Sequence, residues 1–166
     1  MSDKAMTLSE QILLEKCRDI ELLCKDLYSY FAELYSDNQG VAHIWRKTAT
    51  EEQNHADQFS LALKLRKDLP CTVLTDAARV ESILSSLRVV IAQVKAAPPT
   101  LVDALNSAIK LEKYLSEFHV DCVARFEDES YGKMFSAMMS SDCEHIESLQ
   151  AEYDKLTGAQ DWTFTG

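Results

Sequence analysis

Residues 45–62 read Trp45-Arg46-Lys47-Thr48-Ala49-Thr50-Glu51-Glu52-Gln53-Asn54-His55-Ala56-Asp57-Gln58-Phe59-Ser60-Leu61-Ala62, with Trp45, Thr48, Glu52, His55, Phe59 and Ala62 recurring at steps of three and four. That spacing is one face of an α-helix. Trp45, Phe59 and Ala62 suit a packed interior, yet Glu52 and His55 share their register. An unpaired ionised group in a low-dielectric interior costs on the order of several kcal/mol, so these two need charge compensation. The same anomaly recurs three times. Glu21 interrupts the face Cys17, Cys24, Tyr28, Phe31; Glu112 interrupts Leu105, Ala108, Leu115, His119, Cys122, Phe126; Asp142 and His145 interrupt Phe135, Met138, Leu149. The order is single acid, acid-x-x-His, single acid, acid-x-x-His. Two divalent or trivalent cations would compensate such a set.

Working outward, the spacing predicts helices over 9–35 and 41–67, joined by a turn at Ser36-Asp37-Asn38-Gln39-Gly40 and therefore antiparallel. A connector opens with Leu69-Pro70 and closes with Pro98-Pro99, and within it Val80, Ile83, Leu84, Leu87, Val90, Ile91 and Val94 predict a helix over 76–96 without buried charge. The third acid-bearing helix starts at Thr100 as its cap and stops at Asp128-Glu129-Ser130; the fourth covers 131–156, with Gly158 just past its end. Only 4 Gly and 3 Pro in 166 residues, with 46% hydrophobic content, fit one all-α domain over 1–158. The remaining 159–166 form a tail whose Trp162 and Phe164 either dock on the bundle or a second subunit or stay disordered.

With 17 basic against 27 acidic residues the net charge is -10, which argues against a nucleic-acid backbone or an anionic membrane as partner. No leader-like segment opens the chain and no apolar run approaches a membrane span, so a soluble, cytoplasmic protein is expected. Cysteines at 17, 24, 71, 122 and 143 make an odd set without a C-x-x-C pair, consistent with a reducing compartment.

The ordered acids resemble those of the ferritin-like di-iron proteins, nearest the rubrerythrin and bacterioferritin branch and without a rubredoxin domain. Glu21 with Tyr28 matches the family's Glu-x6-Tyr, Glu52-Gln53-Asn54-His55 its Glu-x-x-His, Ala108-Ile109-Lys110-Leu111-Glu112 the segment of its third carboxylate, and Asp142-Cys143-Glu144-His145 its second pair. The resemblance implies a ferritin-like four-helix bundle with a long crossover, containing an additional helix, between its second and third helices. It further implies six metal ligands. Glu21 would be terminal on one ion with His55, Glu112 terminal on the other with His145, and Glu52 and Asp142 would bridge. Oxygen-rich sites with one imidazole each suit two irons, or manganese or a mixed pair, and not haem. Met134, Met138 and Met139 then fill core gaps, and Cys17, Cys24 and Cys122 act as small hydrophobes. Tyr28 and His119 are candidates to support the ligands from behind.

Asp142 departs from the family's Glu by one methylene, and Glu144 lies about 160° away around the helix. Ile109 and Leu115 stand where peroxide-reducing relatives carry a further carboxylate. The function implied is an oxidoreductase reacting with O2 or peroxide, as a ferroxidase or peroxide scavenger, served by an external electron-donor protein and expected as a homodimer. One alternative is an oxidase or oxygenase of an organic substrate, which a pocket beside the metals and bounded by the crossover helix would favour. The other is a non-catalytic metal-binding bundle.

Overall fold

Thr7 starts the first helix through a reciprocal cap. Its hydroxyl accepts from Glu10 N–H at 3.2 Å, while Thr7 N–H donates to the Glu10 carboxylate at 2.7 Å. In the computed structural model, which describes residues 5–65, 71–72, 76–122, 125–126 and 129–158, this helix is α1 (Leu8–Leu34). It is followed by α2 (Gln39–Lys64), β1 (Cys71–Thr72), α3 (Ala77–Ala96), α4 (Leu101–Cys122), β2 (Arg125–Phe126) and α5 (Glu129–Thr157). The fold is all-α apart from β1 and β2, which pair antiparallel over two residues each. Among the described residues no helix is long and apolar enough to cross a membrane.

Most boundaries follow from caps. Asn38 accepts from Val41 N–H at 3.2 Å, so α2 begins at Gln39 and takes Gly40 into its first turn, earlier than a glycine stop implies. Asp76 caps α3 through Ala78 N–H at 3.1 Å, and Thr100 accepts from Asp103 N–H at 3.2 Å at the start of α4. Gly158, at φ 68, takes the left-handed conformation just past α5. Three expectations are corrected: α2 stops at Lys64 rather than 67, α4 stops at Cys122, and α5 starts at Glu129, inside the cluster read as a stop. Phe126 does not continue the α4 face, because Arg125 and Phe126 pair with Thr72 and Cys71, and extended backbone excludes the helical ladder. The Leu69-Pro70 opening of the connector, the tail with Trp162 and Phe164, and the side chains of Cys122, Met134, Met138 and Met139 lie outside the described residues.

Side-chain pairs give the helix directions. Glu21 meets His55 and Tyr28 stacks on Trp45, so α1 and α2 are antiparallel. Glu21 meets His119 and Tyr28 meets Glu112, so α4 is antiparallel to α1 and parallel to α2. Phe59 packs edge-on to Phe135 while Glu52 faces His145, which makes α5 antiparallel to α2. The helix α3 explains how two consecutive acid-bearing helices run the same way. It lies outside α1 and parallel to it, with Lys16 paired to Glu81 at one end and Lys95 over the Tyr30 ring at the other.

The core has an aromatic end and an ionic middle. Trp45, fully buried, sits between Phe31 (centroids 5.0 Å apart) and Tyr28 (5.7 Å). Truncating Trp45 to Ala should therefore cost about 3–5 kcal/mol in urea unfolding, whereas Thr7→Ala, which removes only the cap, should cost about 1 kcal/mol.

Candidate metal centre

Helical spacing puts Glu52 and His55 on one face of α2, and likewise Asp142 and His145 on α5. Antiparallel packing then aims them at Glu21 from α1 and Glu112 from α4. All six are 2% exposed or less. Five converge as two triads of metal-ligating atoms: Glu21, Glu52 and His55, and Glu52, Glu112 and His145. His55 Nδ1 lies 3.4 Å from Glu21 Oε2 and 3.5 Å from Glu52 Oε2. On the other side His145 Nδ1 lies 3.3 Å from Glu52 Oε1 and 3.5 Å from Glu112 Oε2. Glu52 thus turns one oxygen to each triad.

Asp142 does not join either triad. Its Oδ2 lies 2.7 Å from His119 Nδ1, whose other nitrogen is 2.6 Å from Glu21 Oε1. With a carboxylate on each ring nitrogen, His119 is held as an imidazolium that donates twice. Burial alone would push His119 down, but Glu21 and Asp142 outweigh it and hold it well above the ordinary histidine range. The same balance acts on the triads. Burial would lower His55 and His145, yet Glu21 with Glu52 raises the first to about 10, and Glu112 with Glu52 raises the second to about 11. Burial would raise Glu21, but His119 and His55 pull it down to about 2. Burial and the Glu52 charge raise Glu112, against His145 and Tyr28.

Tyr28 donates its hydroxyl to Glu112, across from α1 to α4. Burial first, then the Glu112 charge, pushes Tyr28 well up, so it keeps its proton. Cys24, between Glu21 and Tyr28 on α1, is raised by burial and then by the surrounding carboxylates, which keeps the thiol neutral and poorly suited to metal binding. The residue that periodicity misses is Glu51, whose carboxylate lies against Nε2 of His145. A carboxylate behind an imidazole fixes its ring orientation and strengthens it as a ligand. The adjacent acids in Glu51-Glu52 were the available signal.

Whether these residues suit metal ions is tested by their unmet polar atoms. Glu21 Oε2, Glu52 Oε1, His55 Nδ1 and His145 Nδ1 are buried and have no hydrogen-bond partner among the described residues. They are also the atoms of the two triads that face one another. Trp45 Nε1 and Gln58 Oε1 lack partners too, but neither residue belongs to a triad, whereas these four converge on two points, which is what cations would complete. The donors are carboxylate oxygens with one imidazole per position, a set suited to iron or manganese.

Comparison of the chain with family models, with curated proteins and with solved structures found no match. The chemistry of the centre therefore rests on its own geometry.

Because Glu52 serves both triads, Glu52→Ala should abolish manganese binding at both positions in equilibrium dialysis, whereas Glu112→Ala should leave one. A second expectation concerns pH. His55 and His145 are raised to about 10 and 11 in the folded chain, so their ion pairs stabilise the metal-free protein fully below the unfolded value near 6.5. That contribution is lost as pH rises through about 10 to 11. Metal uptake displaces the same protons, so affinity should strengthen over that interval. Between about pH 7 and 10 the Tm of the metal-free chain should fall while manganese affinity rises. Both moving in one direction would contradict this assignment of the imidazoles.

Proposed function

We propose that the chain is a ferritin-like four-helix bundle, with α3 as the crossover helix, that holds two irons or manganese ions and reacts with O2 or peroxide. It would serve as a ferroxidase or a peroxide scavenger. The observation that carries this reading is the pair of buried triads sharing Glu52, one oxygen turned to each. When bound, two ferrous ions supply two electrons together to an O–O bond.

The protein's own share is positioning, proton supply and dryness. Glu52 sets the separation of the two positions, while Glu21 with His55, and Glu112 with His145, complete them. Behind these, Glu51 orients His145 and the His119 imidazolium ties Glu21 to Asp142. The Tyr28 hydroxyl orients Glu112 and keeps a proton at its oxygen beside the centre. Fully buried Ile20, Leu115 and Leu149, with Cys24, keep bulk water away. The excess of acid over base in the sequence favours arrival of cations, and an external protein would return electrons.

A second reading, oxidation of an organic substrate at the same centre, is favoured by a cleft between α1, α3 and α4, one of whose lining residues, Ala108, lies one helical turn from Glu112.

Anaerobic titration with Fe(II) should saturate at two ions per chain, and O2 or peroxide should then consume the ferrous signal with a new near-ultraviolet absorption. Glu52→Ala should abolish both results. No absorption change and no oxidation in the wild-type chain would sink the redox reading. Uptake far beyond two ions would replace it with storage.

A further inference from the structure

The cleft between α1, α3 and α4 has a volume of about 380 Å³. That lies within the roughly 300–1,000 Å³ range typical of small-molecule sites. It exists because α3 packs along α1 and, at its own first turn, touches α4. Arg79 lies over the Phe118 ring at one end, and Tyr35 donates to the Pro99 carbonyl beyond the other. Between them, α3 residues 82–94 line a trough about 18 Å long.

The trough is apolar inside and polar in a few places. Leu27 and Phe31 of α1, Leu87 and Val90 of α3, and Leu111 of α4 supply hydrocarbon; Val90 remains 41% exposed, an apolar surface that an occupant would cover. Ser86 and Ser107 add hydroxyls, as does Tyr114, which is 45% exposed. Lys110 is the one charged side chain in the lining and makes no ion pair among the described residues. The chain's net charge of -10 repels anions at long range, but the trough itself presents a lysine and no acid, so at contact it selects an anionic head over a cationic one. Its small volume and pinned ends disfavour a protein segment.

We propose that this cleft binds a medium-chain aliphatic carboxylate, its hydrocarbon along Leu27, Phe31, Leu87 and Leu111 and its head at the rim on Lys110. The site uses neither triad and needs no metal, so it stands apart from the redox reading. An acid seated there would lie behind the hydrogen-bonded pair Tyr28 and Glu112, since Leu27 precedes Tyr28 and Ala108 is one turn before Glu112.

The test is calorimetric titration of the full, delipidated, metal-free chain with dodecanoate below its micelle concentration. One dodecanoate per chain should bind, and dodecyltrimethylammonium should bind at least about tenfold more weakly. Lys110→Glu should weaken dodecanoate about tenfold or more, and Val90→Glu, at an exposed position that tolerates charge, should abolish it. Circular dichroism and manganese uptake should be unchanged in both variants, which separates failure of this site from failure of the metal centre. Absence of dodecanoate binding, equal affinity for the cation, or binding indifferent to both substitutions would overturn the proposal. So would a stable dimer in solution that protects Val90 and Tyr114, because a second copy would then be the occupant.

Discussion

Everything in this molecule accommodates one constraint, the neutralisation of buried charge. Glu21, Glu52, Glu112 and Asp142 are at most 2% exposed, and so are His55 and His145, with His119 at 6%. No acid here is balanced by its own helix alone. Glu21 is met by His55 from α2 and His119 from α4, and Glu112 by Tyr28 from α1 and His145 from α5. Breaking a buried charge pair by removing one partner costs about 3–5 kcal/mol, more than exposed ion pairs contribute. The ionic middle therefore specifies which helices face one another, while the Trp45 aromatic end supplies apolar burial that any similar core would supply.

Helix α3 answers a separate, topological requirement. Because α2 and α4 run in the same direction, the chain has to travel back along the molecule between them. A helix of twenty residues does so, and its apolar face, Val80, Ile83, Leu84, Leu87 and Ile91, packs without burying any charge. Helix α3 is thus a return path first. The cleft beside it follows from packing a fifth helix on α1 while pinning it to α4 through few contacts.

Much of this was legible because helical periodicity is a one-dimensional signal. Glu52-x-x-His55 and Asp142-x-x-His145 declare a face, and Thr100 declares a cap, before any tertiary contact is known; the Thr7 and Asp76 caps emerge only from the backbone they bond. The rest depends on distances between helices. Asp142 has the register of a bridging acid, but its side chain is one methylene shorter than Glu and is engaged by His119, whose reach across α1 and α5 no spacing rule encodes. Glu51 lies about 100° around α2 from Glu52, and only the flank on which α5 packs makes it a neighbour of His145. The two-residue pairing of Cys71–Thr72 with Arg125–Phe126 was likewise illegible, since so short a bridge carries no periodicity.

The sharing of Glu52 has a consequence for the order in which the centre is built. Glu21, Glu52 and His55 all belong to the α1–α2 hairpin, within the first 64 residues. The other triad takes Glu52 from that hairpin but draws Glu112 and His145 from the far half of the chain. One position is therefore a local structure, its ligands brought together by a single short turn, whereas the second carries the closure entropy of the long stretch from Glu52 to His145. The first triad can form from the α1–α2 hairpin alone, whereas the second also needs α4 and α5, so the hairpin presents Glu52 to the half of the chain that follows.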